Sequence, residues 1–205
     1  LPLHLEKSLK KLEEDNCVIS VHNEWLVQDG KETLNDSVSR LYERRSVFLS
    51  LYCKGCISTS TVVVARESVF SNGGFDPNLA NGQDVDLWLA ILSDDHVRLC
   101  ALYEALSRYY ISSDGINSNT SQRLKYYILI AKRWAATVVE KDGGRVRLLW
   151  FRIVAIHFEA VKSYLQKGLY FKAIFAVLCS PYYMFDVLVR AIFGKPFVRP
   201  NFFVI

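Results

Sequence analysis

The chain lacks a strong charge of either sign, and this limits the partners that can be expected for it. Its 205 residues include 25 Lys and Arg against 21 Asp and Glu, a net charge of +4. This excess is too small to predict a nucleic-acid-binding protein, although it suits a weak attraction to anionic lipid or to a phosphorylated donor. The hydrophobic share of 51% excludes a disordered chain and is sufficient for a core.

Cysteines are few and do not follow a structural zinc pattern. Five are scattered at positions 17, 53, 56, 100 and 179, which is an odd number. Cys53 and Cys56 have the spacing of two metal ligands, but no second pair accompanies them, so we expect no zinc site there. Reduced thiols in a cytosolic protein are the simpler interpretation.

The sequence also shows no hydrophobic leader and no long apolar run. Residues 2–14 have a leucine stripe on a Lys/Glu-rich background, which predicts a polar helix rather than a signal peptide. The longest run without a charged residue extends from Ala173 to Phe185 and is interrupted by Pro181. A spanning helix needs about 20 apolar residues, so the sequence predicts no membrane-spanning segment.

The most informative stretch begins with a glycine pair at Gly73 and Gly74. A polar loop follows, and then Leu87 and Ile91 recur at helical spacing. Asp84 therefore falls near a helix N-terminus, where free backbone N–H groups and the helix dipole favour its ionised form. An ionised carboxylate at such a position can accept a proton from a sugar hydroxyl. The alternative is that Asp84 only caps the helix.

Three ordered segments, residues 58–66, 73–76 and 82–89, resemble the second half of the family 2 glycosyltransferases, which have a GT-A fold. In that family a strand that ends in small hydroxyl residues precedes a glycine turn, and an aspartate at the next helix start is the usual catalytic base. By position that base is Asp84. The resemblance implies inverting transfer of a sugar from a nucleotide-sugar donor to a hydroxyl of a surface-glycan or lipid-linked acceptor.

Several positions depart from the family pattern. Gln83 stands where Glu is common, and Ala90 where Arg is common. In a segment that contacts metal or phosphate in many relatives, Ile111 and Ser113 replace Arg and His. Asp114 could supply an oxygen ligand there, but Asp114 followed by glycine first predicts a turn.

The first residues, from Leu1 onward, resemble the segment that follows the acidic metal-binding strand of the family. The resemblance therefore implies that this chain is the C-terminal part of a longer enzyme. A divalent cation, Mn²⁺ or Mg²⁺, is expected in the full-length enzyme, with its main ligands missing from this chain and no metal ligand among its own candidate residues. We accordingly expect the 205 residues alone to be inactive.

The resemblance also gives candidate substrate-binding residues around the base. They are Thr59, Ser60, Gly74, Phe75, Asp86 and Trp88. For four of these residues an ordinary structural role is the alternative. Thr59 and Ser60 could form hydrogen bonds at a strand start, Asp86 could be a solvated helix-start acid, and Trp88 could be a core anchor.

We expect an α/β fold, in which residues 1–120 form the acceptor-side half of a GT-A-like mixed sheet and residues 121–205 form a helical tail. Its aromatic and basic residues are typical of an interfacial helix, which would place a cytoplasmic protein peripherally on the inner face of the membrane. Packing on protein is the alternative for the tail. A non-catalytic docking module with a vestigial transferase half is the alternative for the whole chain.

Individual elements follow from the patterning. We expect two short strands at residues 17–21 and 24–27, and a strand buried on both faces at residues 57–65. Residues 97–110 predict two strands with a turn at Glu104. In the tail we expect one helix over residues 122–140, a second over 145–167, and two more on either side of Ser180 and Pro181.

Overall fold

The computed structural model describes residues 1–111 and 119–202, which form a mixed four-stranded sheet and nine α-helices. The chain divides into two compact units. One comprises Leu1–Asp76, Asp84–Gly115 and Arg199–Ile205, and the other comprises Pro77–Gln83 and Ile116–Val198. The expected α/β class with a mixed sheet is confirmed.

The sheet of the first unit is built around β1 (Ile19–Gln28). β4 (Leu99–Tyr110) pairs with β1 in parallel along one edge. Along the other edge, β3 (Val62–Val64) pairs antiparallel with the first residues of β1, and β2 (Lys31–Asn35) pairs antiparallel with the last ones. The gap between β3 and β2 therefore lies beside the middle of β1, where the polar residues His22, Asn23 and Glu24 follow one another.

The two breaks predicted in β1 and β4 are wrong, because each strand is continuous. The register between them shifts at His22, Asn23 and Glu24, and three extra residues of β4, Tyr103, Glu104 and Leu106, are accommodated there. Asn23 donates its side-chain amide to the Tyr103 carbonyl at 2.9 Å. The polar residues thus mark a β-bulge and not a turn.

The long strand predicted for residues 57–65 is also wrong in extent and burial. Only Val62–Val64 form a β-strand, and all three are partly exposed. Thr59–Thr61 form a 3₁₀ turn, in which the Thr61 N–H donates to the Ser58 carbonyl at 3.1 Å. Hydroxyl side chains that bond locally favour such a turn over a ladder.

Five helices belong to the first unit, and the last of them presents the candidate base. The predicted helix near the N-terminus is confirmed, and the segments after Ser46 and before the glycine pair are also helical. Their bounds are α1 His4–Asp15, α2 Ser37–Leu41, α3 Val47–Lys54, α4 Arg66–Ser71 and α5 Gln83–Ser93. Leu87, Leu89 and Ile91 of α5 are fully buried, so this helix packs on the core and holds its first turn in place.

The second unit is helical, with α6 Thr120–Arg133, α7 Ala135–Lys141, α8 Arg147–Gln166 and α9 Tyr170–Phe193. The single helix predicted over 122–140 is interrupted at Trp134, where α6 ends and α7 begins. The second predicted tail helix is confirmed as α8.

The two helices predicted on either side of Ser180 and Pro181 are wrong, because α9 continues through Pro181. Proline leaves the Val177 carbonyl, four residues earlier, without its helical donor. The Ser180 hydroxyl donates to that carbonyl at 2.9 Å and so replaces the missing bond. The prediction that no segment reaches spanning length is therefore wrong as well: one helix of the described residues, α9, is long and apolar enough to cross a membrane, by length and composition alone.

Candidate functional site

The candidate base, Asp84, lies in the first turn of α5 and is partly exposed. Its Oδ2 accepts a hydrogen bond from the Thr59 hydroxyl at 2.8 Å, and its Oδ1 accepts one from the Val85 N–H at 2.8 Å. Among the described residues no Lys or Arg forms an ion pair with it. The carboxylate is therefore held by neutral donors at the surface, with its charge not neutralised by a cation.

The hydroxyl segment 58–60 connects Asp84 to a second carboxylate. Ser58 and Ser60 donate to the two oxygens of Glu24, at 2.6 and 3.0 Å. Thr59, between them, donates to Asp84. Of the two alternatives for Thr59 and Ser60, the structure shows the hydrogen-bonding role, and both side chains are also exposed.

Glu24 is the residue of this site that the sequence analysis missed. It is 1% exposed, and its Oε1 also accepts from the Asn35 side-chain amide at 3.0 Å. Asn35 in turn accepts a hydrogen bond from Arg40. A buried carboxylate needs such donors to offset its lost hydration. An acidic residue that follows His22 and Asn23 within β1 was the only sequence signal, because its donors come from residues 35, 58 and 60.

Gly74, Phe75 and Trp88 are three further candidate residues, and all of them lie in the first unit. Gly74 has φ +72°, a conformation that favours glycine, and its carbonyl accepts from Arg199. Phe75 is 44% exposed and meets the buried Trp88 edge-to-face, with ring centroids 6.2 Å apart. The core interpretation of Trp88 is confirmed by its burial, and Phe75 is the aromatic ring that solvent can reach.

Asp86 is not a solvated acid, so that alternative is wrong. Its side chain is 0% exposed and pairs with Arg199, which is 4% exposed, at 2.9 Å between Oδ2 and Nε. Arg199 also donates to the Asn72 carbonyl at 2.7 Å. Because Arg199 covers the carboxylate, a substrate contact by Asp86 would require this guanidinium to move.

The positions that depart from the family pattern are only partly within the described residues. Ile111 extends β4 by donating its N–H to the Val27 carbonyl at 3.0 Å. Ala90 is buried in α5, where a long charged side chain would not fit without repacking. Ser113 and Asp114 lie outside the described residues.

One side-chain cluster of the described residues could hold a metal ion, although not at this site. The ligand atoms of Asp15, Cys17 and Cys100 lie within 4.8 Å of one another. Lys11 already pairs with Asp15 at 2.9 Å, and burial raises the pKa of the Cys100 thiol to about 12. Both features oppose binding of a cation by this cluster. Around Asp84 the described residues include no group of three His, Cys, Asp or Glu side chains close enough together to share a metal ion.

In the second unit, α9 carries a continuous exposed apolar face. Its buried residues Ala173, Ala176 and Val187 lie on one side. Large apolar residues on the other side are mostly exposed, and Phe171 reaches 90%. They are Phe171, Ile174, Phe175, Leu178, Tyr182 and Phe185, which recur at three- and four-residue intervals as one stripe.

The chain was compared with known proteins at the level of sequence and of structure. It matches no family model, no curated protein and no solved structure. The glycosyltransferase resemblance of the three segments therefore remains a prediction from the sequence.

Proposed function

We propose that the first unit is the acceptor side of an inverting, nucleotide-sugar-dependent glycosyltransferase in which Asp84 is the catalytic base. The observation that supports this is the state of Asp84 itself. It is partly exposed, is held by the Thr59 hydroxyl, and has no cationic partner among the described residues. An ion pair with Lys or Arg would make this carboxylate a weaker base, and burial in the core would keep an incoming alcohol from reaching it.

In the proposed reaction the acceptor hydroxyl attacks the anomeric carbon of the donor in one displacement. The new glycosidic bond forms as the bond to the diphosphate oxygen breaks, and the hydroxyl proton passes to Asp84. Thr59 holds one oxygen of the base, which fixes its orientation and leaves the carboxylate near the surface. Glu24 acts at one remove as a positioning residue, because it fixes the two serines that flank Thr59.

The test is the Asp84→Asn variant of the full-length protein, assayed with a panel of nucleotide sugars and glycan or lipid-linked acceptors. The amide keeps the size of the side chain but cannot accept the proton. We expect the turnover rate to fall by about 10²–10⁴-fold with donor binding unchanged. Asp94→Asn, which changes an exposed acid just beyond α5, is the matched control. Equal rates for Asp84→Asn and the native protein would refute the proposal and favour a non-catalytic docking module.

A second function is supported by a different observation, the exposed apolar face of α9. We propose that the second unit docks peripherally on an anionic membrane surface. Residues 119–198 contain 13 Lys and Arg against 4 Asp and Glu, a net charge of +9. An exposed apolar helix face within a strongly basic region matches the chemistry of an anionic bilayer surface.

Flotation with vesicles tests the docking proposal. We expect the chain to float with phosphatidylcholine vesicles that contain phosphatidylglycerol, and less with phosphatidylcholine alone. The double substitution Phe171→Glu and Leu178→Glu, which changes two exposed residues of the α9 stripe, should abolish flotation. Val198→Glu, which changes an apolar residue that is also exposed but lies outside α9, should leave it intact. Equal flotation of both variants would contradict the proposal.

A further inference from the structure

The second unit contains a cavity bordered by α6, α8 and α9, with a volume of about 530 Å³. Its walls are mainly apolar, with Leu124, Ile128, Leu129, Phe175 and Ala176 among the lining residues. This size and lining are typical of small-molecule sites, which combine an apolar body with a few placed polar groups.

A buried histidine supplies one of those polar groups. His157 of α8 lines the cavity and is 4% exposed. Its Nδ1 lies 2.8 Å from the Ile153 carbonyl and therefore donates to it, which leaves Nε2 as an acceptor. Nε2 is buried and has no hydrogen-bond partner among the described residues. An unsatisfied buried acceptor in a cavity wall is costly unless a ligand or water completes it.

Lysines supply a positive charge to the same cavity. Lys125 and Lys132 of α6 and Lys172 of α9 are among its lining residues. Lys132 is paired with Asp186. Lys125 and Lys172 are exposed, and neither forms an ion pair with a carboxylate of the described residues. Two uncompensated ammonium groups beside an apolar cavity suit a ligand that has an anionic head and a hydrocarbon body.

We propose that this cavity binds one lipid with a phosphate head group, the hydrocarbon chain filling the apolar volume, the phosphate contacting Lys125 and Lys172, and a hydroxyl of the lipid or a water molecule donating to His157 Nε2. The inference rests on the docking proposal only for the source of the lipid, which is the membrane on which the second unit lies. It also supplies a lipid-binding site of the kind that a transferase acting on a lipid-linked acceptor would use.

Titration calorimetry on the full chain tests this with three probes. Lysophosphatidic acid, kept below its micelle concentration, has both chain and phosphate. Monoacylglycerol has the chain alone, and glycerol 3-phosphate the head alone. We expect one lysophosphatidic acid to bind, monoacylglycerol to bind at least about tenfold more weakly through loss of the charged contacts, and glycerol 3-phosphate not to bind measurably. Equal affinity for the first two probes would overturn the role of the lysines.

Lysine variants and chemical modification of Cys179 test whether any lipid binding occurs in this cavity. Lys125→Glu with Lys172→Glu should weaken lysophosphatidic acid at least about tenfold and leave monoacylglycerol unchanged, whereas Lys162→Glu, an exposed lysine of α8 outside the cavity lining, should change neither. Cys179 lines the cavity and is partly exposed. In a Cys17→Ser background it is the only cysteine that is not buried. A bulky maleimide at Cys179 should then block both lipid probes, and Cys179→Ser should prevent that block.

The outcomes separate the two proposals. Vesicle flotation without binding of monomeric lipid, or binding unaffected by the maleimide, would overturn the cavity and leave membrane docking intact. Binding of monomeric lipid without flotation would overturn docking and leave the cavity. A shared loss caused by unfolding is recognised by the circular dichroism of each variant.

Discussion

At the scale of single residues, Asp86 and Arg199 form a buried ion pair in the first unit. Both side chains are almost completely buried, and Arg199 also binds the carbonyls of Asn72 and Gly74. Removing one partner of a buried pair leaves a charge without its compensation, and this typically costs about 3–5 kcal/mol.

Arg199→Met tests this, because methionine keeps apolar volume and removes the guanidinium. We expect the free energy of unfolding, measured by urea denaturation, to fall by about 3–5 kcal/mol. Lys10→Met removes a lysine from an exposed helical pair with Glu14 and should have no measurable effect. A change below about 1 kcal/mol for Arg199→Met would show that the pair contributes little net stability.

Burial lowers the pKa values of three histidines, His4, His22 and His157, and gives the fold a pH dependence to which His22 contributes. His22 is fully buried, with its Nδ1 2.7 Å from the Asn23 carbonyl and its ring packed edge-to-face on His4. Burial lowers the pKa of His22 below its ordinary value of 6.5, and the neighbouring His4 lowers it further. The unfolded chain therefore binds the proton more readily than the folded one, so this contribution to stability is complete above about pH 6.5 and is lost as the pH falls below it.

We expect the urea midpoint of the native chain to decrease as the pH is lowered from about 7 to about 5. His22→Gln should reduce the dependence of the urea midpoint on pH, because one of the histidines that take up a proton on unfolding is gone. His96→Gln changes an exposed histidine and should leave that dependence as it is. A midpoint that rises on acidification would contradict the assignment.

At the scale of secondary-structure elements, α9 shows how one side chain can keep a helix continuous through a proline. Pro181 removes the donor for the Val177 carbonyl, and the Ser180 hydroxyl donates to that carbonyl instead. If this hydrogen bond keeps the helix continuous, the contribution of Ser180 to the free energy of unfolding depends on the presence of Pro181.

A double-mutant cycle measures that dependence. Ser180→Ala alone should destabilise the chain by about 1 kcal/mol, through loss of one hydrogen bond. In a Pro181→Ala background the new alanine N–H serves the Val177 carbonyl, so the same Ser180→Ala change should cost close to nothing. Urea denaturation of the four chains gives the coupling energy. Identical costs in both backgrounds would mean that Ser180 does not replace the missing bond.

The same elements show what the sequence could predict and what it could not. Helix starts such as that of α5 were predictable, because apolar spacing and punctuation are local, and this placed Asp84 correctly. The bulge was mistaken for a break between two strands in β1 and for a turn at Glu104 in β4, because Asn23 is satisfied by a residue 80 positions away. Glu24 and Arg199 were missed at the candidate site for the same reason: their partners are distant in sequence, so no local pattern contains them.

At the scale of the whole molecule, charge is segregated along the chain. Residues 1–111 contain 11 Lys and Arg against 16 Asp and Glu, a net charge of −5, whereas residues 119–198 carry +9. The total of +4 conceals this difference, which is why the overall composition indicated only a weak attraction to anionic lipid. The basic charge of the region that carries the exposed apolar face of α9 agrees with the proposal that the second unit docks on an anionic membrane.

α9 is long enough to cross a membrane, but its contacts favour the proposed docking on the membrane surface. Ala173, Ala176 and Val187 are buried within the second unit, and Asp186 pairs with Lys132 of α6. A crossing helix would have to leave these contacts and carry Asp186 into hydrocarbon, which is costly.

We therefore expect alkaline carbonate to release the chain from vesicles, as it releases proteins held at the interface. Lys132→Met with Asp186→Met removes the ion pair and should favour deeper insertion. The carbonate-resistant fraction in flotation should then increase for this variant and stay near zero for the native chain, whereas a native chain that resists carbonate would show that α9 spans the bilayer.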